Sequence, residues 1–356
     1  DAYNTAVGYD AGVAVTTGIK NTFIGGLAAD ANTVGFNNIA IGYDALGTNT
    51  ASGANVAIGY EALKTYNNTT EASHFNTAVG TQAGKALTTG IENTLIGGLA
   101  GDALTDANRN IAIGRNALTD DTLGSQTVAI GFGSLENQNF TTATNSGNTA
   151  VGYNTGAALT TGINNTLIGK DAGDSLTDAD FNVAVGTDAL QADTLGSKSI
   201  AIGHSALEAQ NFTTATDTYN VAIGDNTGKA ITTGVNSTLI GGLAGDAITT
   251  ANNNVAVGKS ALSTETSGAN CTAIGSNALA AQNVGSGTNV ANTAVGYDAG
   301  LAVTTGINNV LIGAYAGDAL TDADDNVAIG KDALGSDTLG SKTVAIGQGS
   351  YLNQNF

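Results

Sequence analysis

The chain has no proline, methionine or tryptophan, one cysteine, and only 5% aromatic residues. A core built around large side chains is therefore excluded, and what remains for an interior is Ala, Val, Ile and Leu. The single thiol, Cys271, excludes an intrachain disulfide framework. Basic residues are scarce as well: 11 Lys plus Arg stand against 30 Asp plus Glu, a formal charge of -19. Nucleic acid and anionic membrane surfaces need basic patches, so neither is an expected partner. No apolar run approaches the roughly 18 residues of a membrane span, and no signal peptide is evident. Only 12% of the chain is charged and 42% is apolar, which argues for order despite the low complexity.

What the chain does have is 50 glycines in strict register. The sequence repeats in units of constant length that start at 4, 76, 148, 220 and 292; Asn76-Thr-Ala-Val-Gly80 returns as Asn148-Thr-Ala-Val-Gly152. Within the unit that starts at 76, Gly80, Gly97, Gly114 and Gly131 are evenly spaced, and a longer step leads to Gly152. The same 17/17/17/21 steps run to Gly347 and divide 1–356 into 20 rungs of one continuous repeat domain. A fixed period without insertions means stacked copies of one small unit.

Aligned on this glycine, every rung has Val or Ile just before it, as in Val7, Ile24, Ile41, Ile58, Ile130 and Ile346. Thr, Val or Ile stands three before. The residue between them is Ala, except in the second rung of each unit, where it is Phe23, Leu95, Leu167, Leu239 or Leu311. β-Branched residues closed by glycine read as a short strand, and the evenly spaced glycines would weaken any helix. The spacing predicts an all-β fold, a parallel β-solenoid (β-roll) of about 20 rungs in a 17/17/17/21 pattern. At ~4.8 Å per coil the stack would run roughly 95 Å.

Such a strand is apolar on both faces, and one flattened coil can enclose only one of them. The Val/Ile row is expected to form the interior. The Ala row, Ala6, Ala40, Ala57, Ala78, Ala112 and Ala129, with Leu95, is expected to meet another copy of the chain, giving a homo-oligomer. Four before the glycine, Asn recurs in 15 rungs, with Thr127, Ser199, Ser237, Cys271 and Thr343 in the others; stacked amides there predict a hydrogen-bond ladder. The extra residues of the fourth rung make loops around Phe140 and Phe212 that should bulge sideways and serve as lateral contacts. Asn353-Gln-Asn-Phe356 repeats Asn137-Gln-Asn-Phe140, so the pattern is expected to continue, in a longer chain or by head-to-tail stacking into a filament.

The rung cores Asn55-Val-Ala-Ile-Gly59, Thr127-Val-Ala-Ile-Gly131 and Thr343-Val-Ala-Ile-Gly347, each with Ala or Ser at the third position further on, resemble the YadA-like head repeats of trimeric autotransporter adhesins. The Asn-Thr-Ala-Val-Gly segments are similar to repeats in phage tail-fibre shafts. The resemblance covers all 20 rungs, although the rung of 17 is longer than the family coil. It implies a left-handed roll assembled as a trimer, and a passive role on an extracellular, cell or virion surface. The coiled-coil stalk, membrane anchor and receptor-binding tip of that family are not found.

Chemistry is sparse. His74 and His204 lie in different units and lack a repeated partner, which argues against a metal or catalytic pair. Cys271 replaces an Asn of the ladder and reads as a substitution, not a nucleophile. Asp102 and Asp106, Asp174 and Asp178, and Asp318 and Asp322 recur; calcium is the one ion such oxygen rows would suit, and no other cofactor is expected. The Thr pairs from Thr16-Thr17 to Thr304-Thr305 return once per unit, too sparsely for an ordered-water plane. The expected function is a non-enzymatic structural fibre. The alternative is an adhesin head or tail-fibre shaft that binds host receptors or glycans.

Overall fold

The computed structural model describes residues 2–285 and 288–355, so Asp1 and Phe356 lie outside the described residues. The chain is all-β, a parallel β-solenoid whose coils recur at the spacing of the rung glycines, as Thr94–Ile96 followed by Ile111–Ile113 shows. Contacts divide it into two compact units, Asp1–Asp180 and Phe181–Phe356. Each consists of ten three-residue strands paired in parallel, from Thr5–Val7 to Thr166–Ile168 in the first and from Val183–Val185 to Val344–Ile346 in the second. The register is invariant: Ile111 lies against Val128, Ala112 against Ala129, and Ile113 against Ile130.

Each strand stops so soon because the glycine that follows has a backbone few other residues adopt. At Gly114 φ is +135°, and an added Cβ would collide with the carbonyl oxygen of Gly131 in the next coil. Only glycine tolerates both the torsion and the approach. The turn continues through left-handed residues two and four after the glycine, such as Asn116 and Leu118.

Packing inside the coil explains the Leu that interrupts the Ala row once per repeat. Where the residue four after the glycine is Leu, as at Leu63 and Leu118, it fills the interior, and the strand contributes Ala. Where that residue is Gly, room opens for a larger strand residue. An added Cβ at Gly84 would lie 2.6 Å from Leu95 Cδ1, and one at Gly101 would lie 2.9 Å from Leu95 Cδ2. Leu87 and Leu104, seven after the glycine, complete the filling. Side-chain volume is thus traded between positions to keep one interior packed.

The two strand faces are the reverse of the expected ones. The middle residue points inward: Ala40, Ala57, Ala78, Leu95, Ala112 and Ala129 are fully buried within the chain. The flanking pair points outward. Ile41, Ile58 and Ile130 are half-buried, Ile24 is 39% exposed, and Val7 and Ile346 in the end coils are 59% and 66% exposed. Ala6, in the first coil, is exposed. The physical reason is thickness. A coil that carries one inward strand residue per turn, facing small or leucine side chains, has no space for two branched rows.

Candidate assembly face and loop anchors

Two features could carry function: the outward strand face and the fourth-rung loops. The face presents two rows, Thr, Val or Ile three before the glycine and Val or Ile one before it. No outward position of the twenty three-residue strands carries a charge, in a chain of formal charge -19. Ile39, Ile96 and Ile111 of the first unit, and Ile200, Ile240 and Ile312 of the second, remain partly open to solvent on the outward face of their own unit. Beside it, exposed aromatics stack between coils: Tyr43 on Tyr60 at 5.8 Å and Phe132 on Tyr153 at 5.5 Å between ring centroids. The described residues enclose no pocket.

The edge of the coil is held by the Asn row. Asn93 Oδ1 accepts the backbone N–H of Asn110 at 3.0 Å, and its Nδ2 donates to the carbonyl of Ala107 at 2.8 Å and to Asn76 Oδ1 at 3.1 Å. Each amide thereby caps the backbone of the next coil, chiefly side chain to backbone. A second ladder runs beside it that the sequence pattern does not announce. The residue eight after the glycine is Thr in 15 rungs and Asn in the other five. Thr88 Oγ1 donates to the Thr105 carbonyl, Thr105 Oγ1 to that of Thr122, and Thr122 Oγ1 to Asn139 Oδ1, at 3.0–3.1 Å. Its signal lies in the aligned rungs, where the more conspicuous Thr-Thr pairs mask it.

The loops differ from expectation at their aromatic residues. Phe140 and Phe212 are buried, 5% and 7% exposed, and the exposed tips are Thr141 to Ala143 and Thr213 to Ala215. After each tip the chain returns to pair in parallel with the preceding coil, Thr144–Asn145 on Gly124–Ser125 and Thr216–Asp217 on Gly196–Ser197.

Beneath each loop lies a buried polar module that single sequence rows do not reveal. Asp121 and Gln138 are fully buried, each seven after its rung glycine. Asp121 Oδ1 accepts the N–H of Gly124 at 3.0 Å and of Phe140 at 3.1 Å, and Oδ2 accepts Gln138 Nε2 at 2.7 Å. Gln138 Nε2 also donates to Thr127 Oγ1 at 3.1 Å, Thr127 Oγ1 lies 2.6 Å from Ser146 Oγ, and Gln138 Oε1 accepts Asn148 Nδ2 at 2.9 Å. The second compact unit repeats this with Asp193, Gln210, Ser199, Thr218 and Asn220, and then with Glu265, Gln282, Cys271 and Asn292. In the first repeat Asn49, Tyr66 and His74 stand at the corresponding positions, and the Tyr66 hydroxyl lies 2.8 Å from His74 Nδ1. Of the non-Asn residues in this row, Thr127, Ser199 and Cys271 are thus matched to a glutamine eleven residues on, whereas Ser237 has Ile248 there. That covariation between repeats is the readable signal.

Desolvation pushes the Asp121 and Asp193 carboxyls up from the ordinary carboxylate range, against the pull of their hydrogen bonds. It also pushes the buried Cys271 thiol up to about 11 and the His74 imidazole down. The histidines stay apart: His74 is part of its loop core, while exposed His204 lies 3.1 Å from Asp225. Asp102 accepts Thr119, and Asp106, Asp178 and Asp322 accept Thr89, Thr161 and Thr305 of the neighbouring coil. Burial raises Asp318, while Asp174 lies near Ser175. Among the described residues no three His, Cys, Asp or Glu side chains converge as a metal ion would require, and no helix is long and apolar enough to cross a membrane.

Compared with models of known protein families and with curated proteins, the chain matches none.

Proposed function

We propose that this chain is a segment of a structural fibre in which several copies pack along their outward strand faces, three about a common axis in the arrangement that the YadA-like resemblance implies. The observation that carries this reading is the charge-free Thr/Val/Ile face. The solvated face of a sheet is ordinarily polar, and depletion of charge is the mark of an interface core; an uncharged face of β-branched residues on so acidic a chain has that character. Parallel strands are ordinarily covered on both sides, and a second copy supplies that cover without requiring any further fold. The fibre would stand at an extracellular, cell or virion surface. The exposed Thr-Thr-Ala tips would be its lateral features, available to a receptor or glycan if the fibre is an adhesin or tail-fibre shaft.

The test is the mass of the assembly in solution, with negative-stain images of the same sample. Rods of three chains, or longer filaments, are expected. A monodisperse 35.0 kDa particle at all concentrations would refute the assembly.

A further inference from the structure

The buried modules contain the parts of an acyl-transfer reaction. In three of them a nucleophile, a carboxamide, a carboxylate and an amide donor meet away from water: Thr127 with Gln138, Ser199 with Gln210, and Cys271 with Gln282. The glutamine Nε2 donates to the respective hydroxyl, hydroxyl and thiol at 3.1, 2.8 and 3.0 Å, so a turn of the carboxamide about its Cγ–Cδ bond brings the face of Cδ to the nucleophile. The carboxylate of Asp121, Asp193 or Glu265 holds the same nitrogen at 2.7, 2.6 or 3.1 Å. The carbonyl oxygen accepts Asn148, Asn220 or Asn292 Nδ2 at 2.9, 2.9 or 2.8 Å. All nine of the nucleophile, glutamine and acid side chains are at most 1% exposed.

We propose that these modules close autocatalytically into intramolecular cross-links, esters at Thr127–Gln138 and Ser199–Gln210 and a thioester at Cys271–Gln282. The nucleophile's oxygen or sulfur bonds to the glutamine Cδ, the Cδ–Nε2 bond breaks, and the proton lost by the nucleophile leaves on that nitrogen as ammonia. No oxidant or co-reactant enters, and the carboxylate ends as it began. Each partner has a role that its position supports. Proximity of nucleophile and amide replaces a bimolecular encounter. The Asn amide stabilises the oxyanion that develops on Oε1. The carboxylate orients the departing nitrogen, and the raised proton affinity of Asp121 and Asp193 suits proton delivery there. Burial then protects the product from hydrolysis once ammonia has escaped. The repeats also choose a nucleophile: the position is Thr, Ser or Cys where a contacting glutamine faces it, and Asn55 where Tyr66 stands instead.

The experiment is intact-mass spectrometry of the purified chain, with peptide mapping of the wild type. The expected result is a mass below the sequence value by one ammonia for each closed module, and branched peptides joining Thr127 to Gln138, Ser199 to Gln210 or Cys271 to Gln282. Hydroxylamine, which cleaves esters and thioesters, should release them. Thr127→Val should abolish only its own branched peptide, which separates loss of one link from general misfolding. Unlinked peptides for all three pairs, with the full sequence mass and one thiol titrating in denaturant, would overturn the proposal.

Discussion

Ala129 and Ile130 are neighbours in one strand and face opposite ways: Ala129 is fully buried inside its coil, and Ile130 lies half-buried on the outer face. The two positions therefore separate folding from assembly. Ala129→Asp places an unpaired charge in an interior with no room for it, and cooperative unfolding should be lost or shifted down by several kcal/mol. Ile130→Asp leaves the coil intact, so circular dichroism should still report a folded β protein while the assembly weakens sharply. Equal thermal damage from both substitutions would mean that the outer face belongs to the fold of a single chain.

Gly84 and Leu95 make a second pair with a measurable relationship. A methyl group added at Gly84 falls on the Leu95 side chain. Gly84→Ala should cost about 1–3 kcal/mol by overpacking, and Leu95→Ala about 2–5 kcal/mol by leaving a cavity. In the double variant the closer clash, with Leu95, is relieved and the one with Leu63 Cδ2 at 2.9 Å remains, so the combined loss should be smaller than the sum of the two. Chemical denaturation of the four proteins gives the coupling, and strict additivity would show that the two sites do not share volume.

The Asn ladder predicts a cost that depends on position along the chain. Asn93→Ala leaves the Asn110 N–H and the Ala107 carbonyl without their partner in a buried setting, at about 1–3 kcal/mol for each group. Asn4, in the open first coil, makes the same two contacts, with Asn21 and Gly18, but is itself exposed. Its replacement by Ala should cost well under half as much, because water can take its place. Similar losses at the two sites would show that ladder strength does not come from burial.

Much of the fold was legible because the period is rigid. Gly114 and its counterparts fix strand length, and the Asn and β-branched rows mark the coil edge and the strand. The inside and outside of the strand were not legible, because alternation in so short a strand leaves either Ala alone or the pair around it facing inward. Only the exchange of Leu between the strand and the turn, Leu95 beside Gly84 and Gly101, decides the matter, and it becomes visible when rows are compared across the coil. The candidate site was harder still. Asp121 and Gln138 share one row of the alignment on consecutive coils, and Thr127 stands in another. The acid's position is moreover occupied by Asn49 in the first repeat, so no single row looks chemical. The nucleophile, glutamine and carboxylate become a unit only when the coil brings them together.

The same carboxylates give the chain a pH dependence opposite to that of ordinary surface acids. Burial raises the native pKa of Asp121 and Asp193 above 3.8, the value ordinary for aspartate. Between the ordinary and the raised value the folded chain binds more protons than the unfolded one, so stability falls as pH rises through that window. Glu61 behaves in the reverse sense. Lys64, Lys85 and Gln82 hold its carboxyl down at about 2, so its contribution is present above the ordinary 4.5 and fades as pH falls toward 2. The measurement is urea unfolding of the wild type and of an Asp121→Asn/Asp193→Asn variant between about pH 3 and 7. Asn49 already occupies the corresponding position in the first repeat, so the amide is compatible with the coil. The wild type should lose stability relative to the variant as pH rises past the ordinary aspartate range and then level off. Glu61→Gln should produce the mirror image, with the wild type gaining on the variant over the same rise. A difference curve that is flat for the Asp pair would mean that their hydrogen bonds, three donors to the Asp121 carboxylate alone, fully offset the cost of burying the charge.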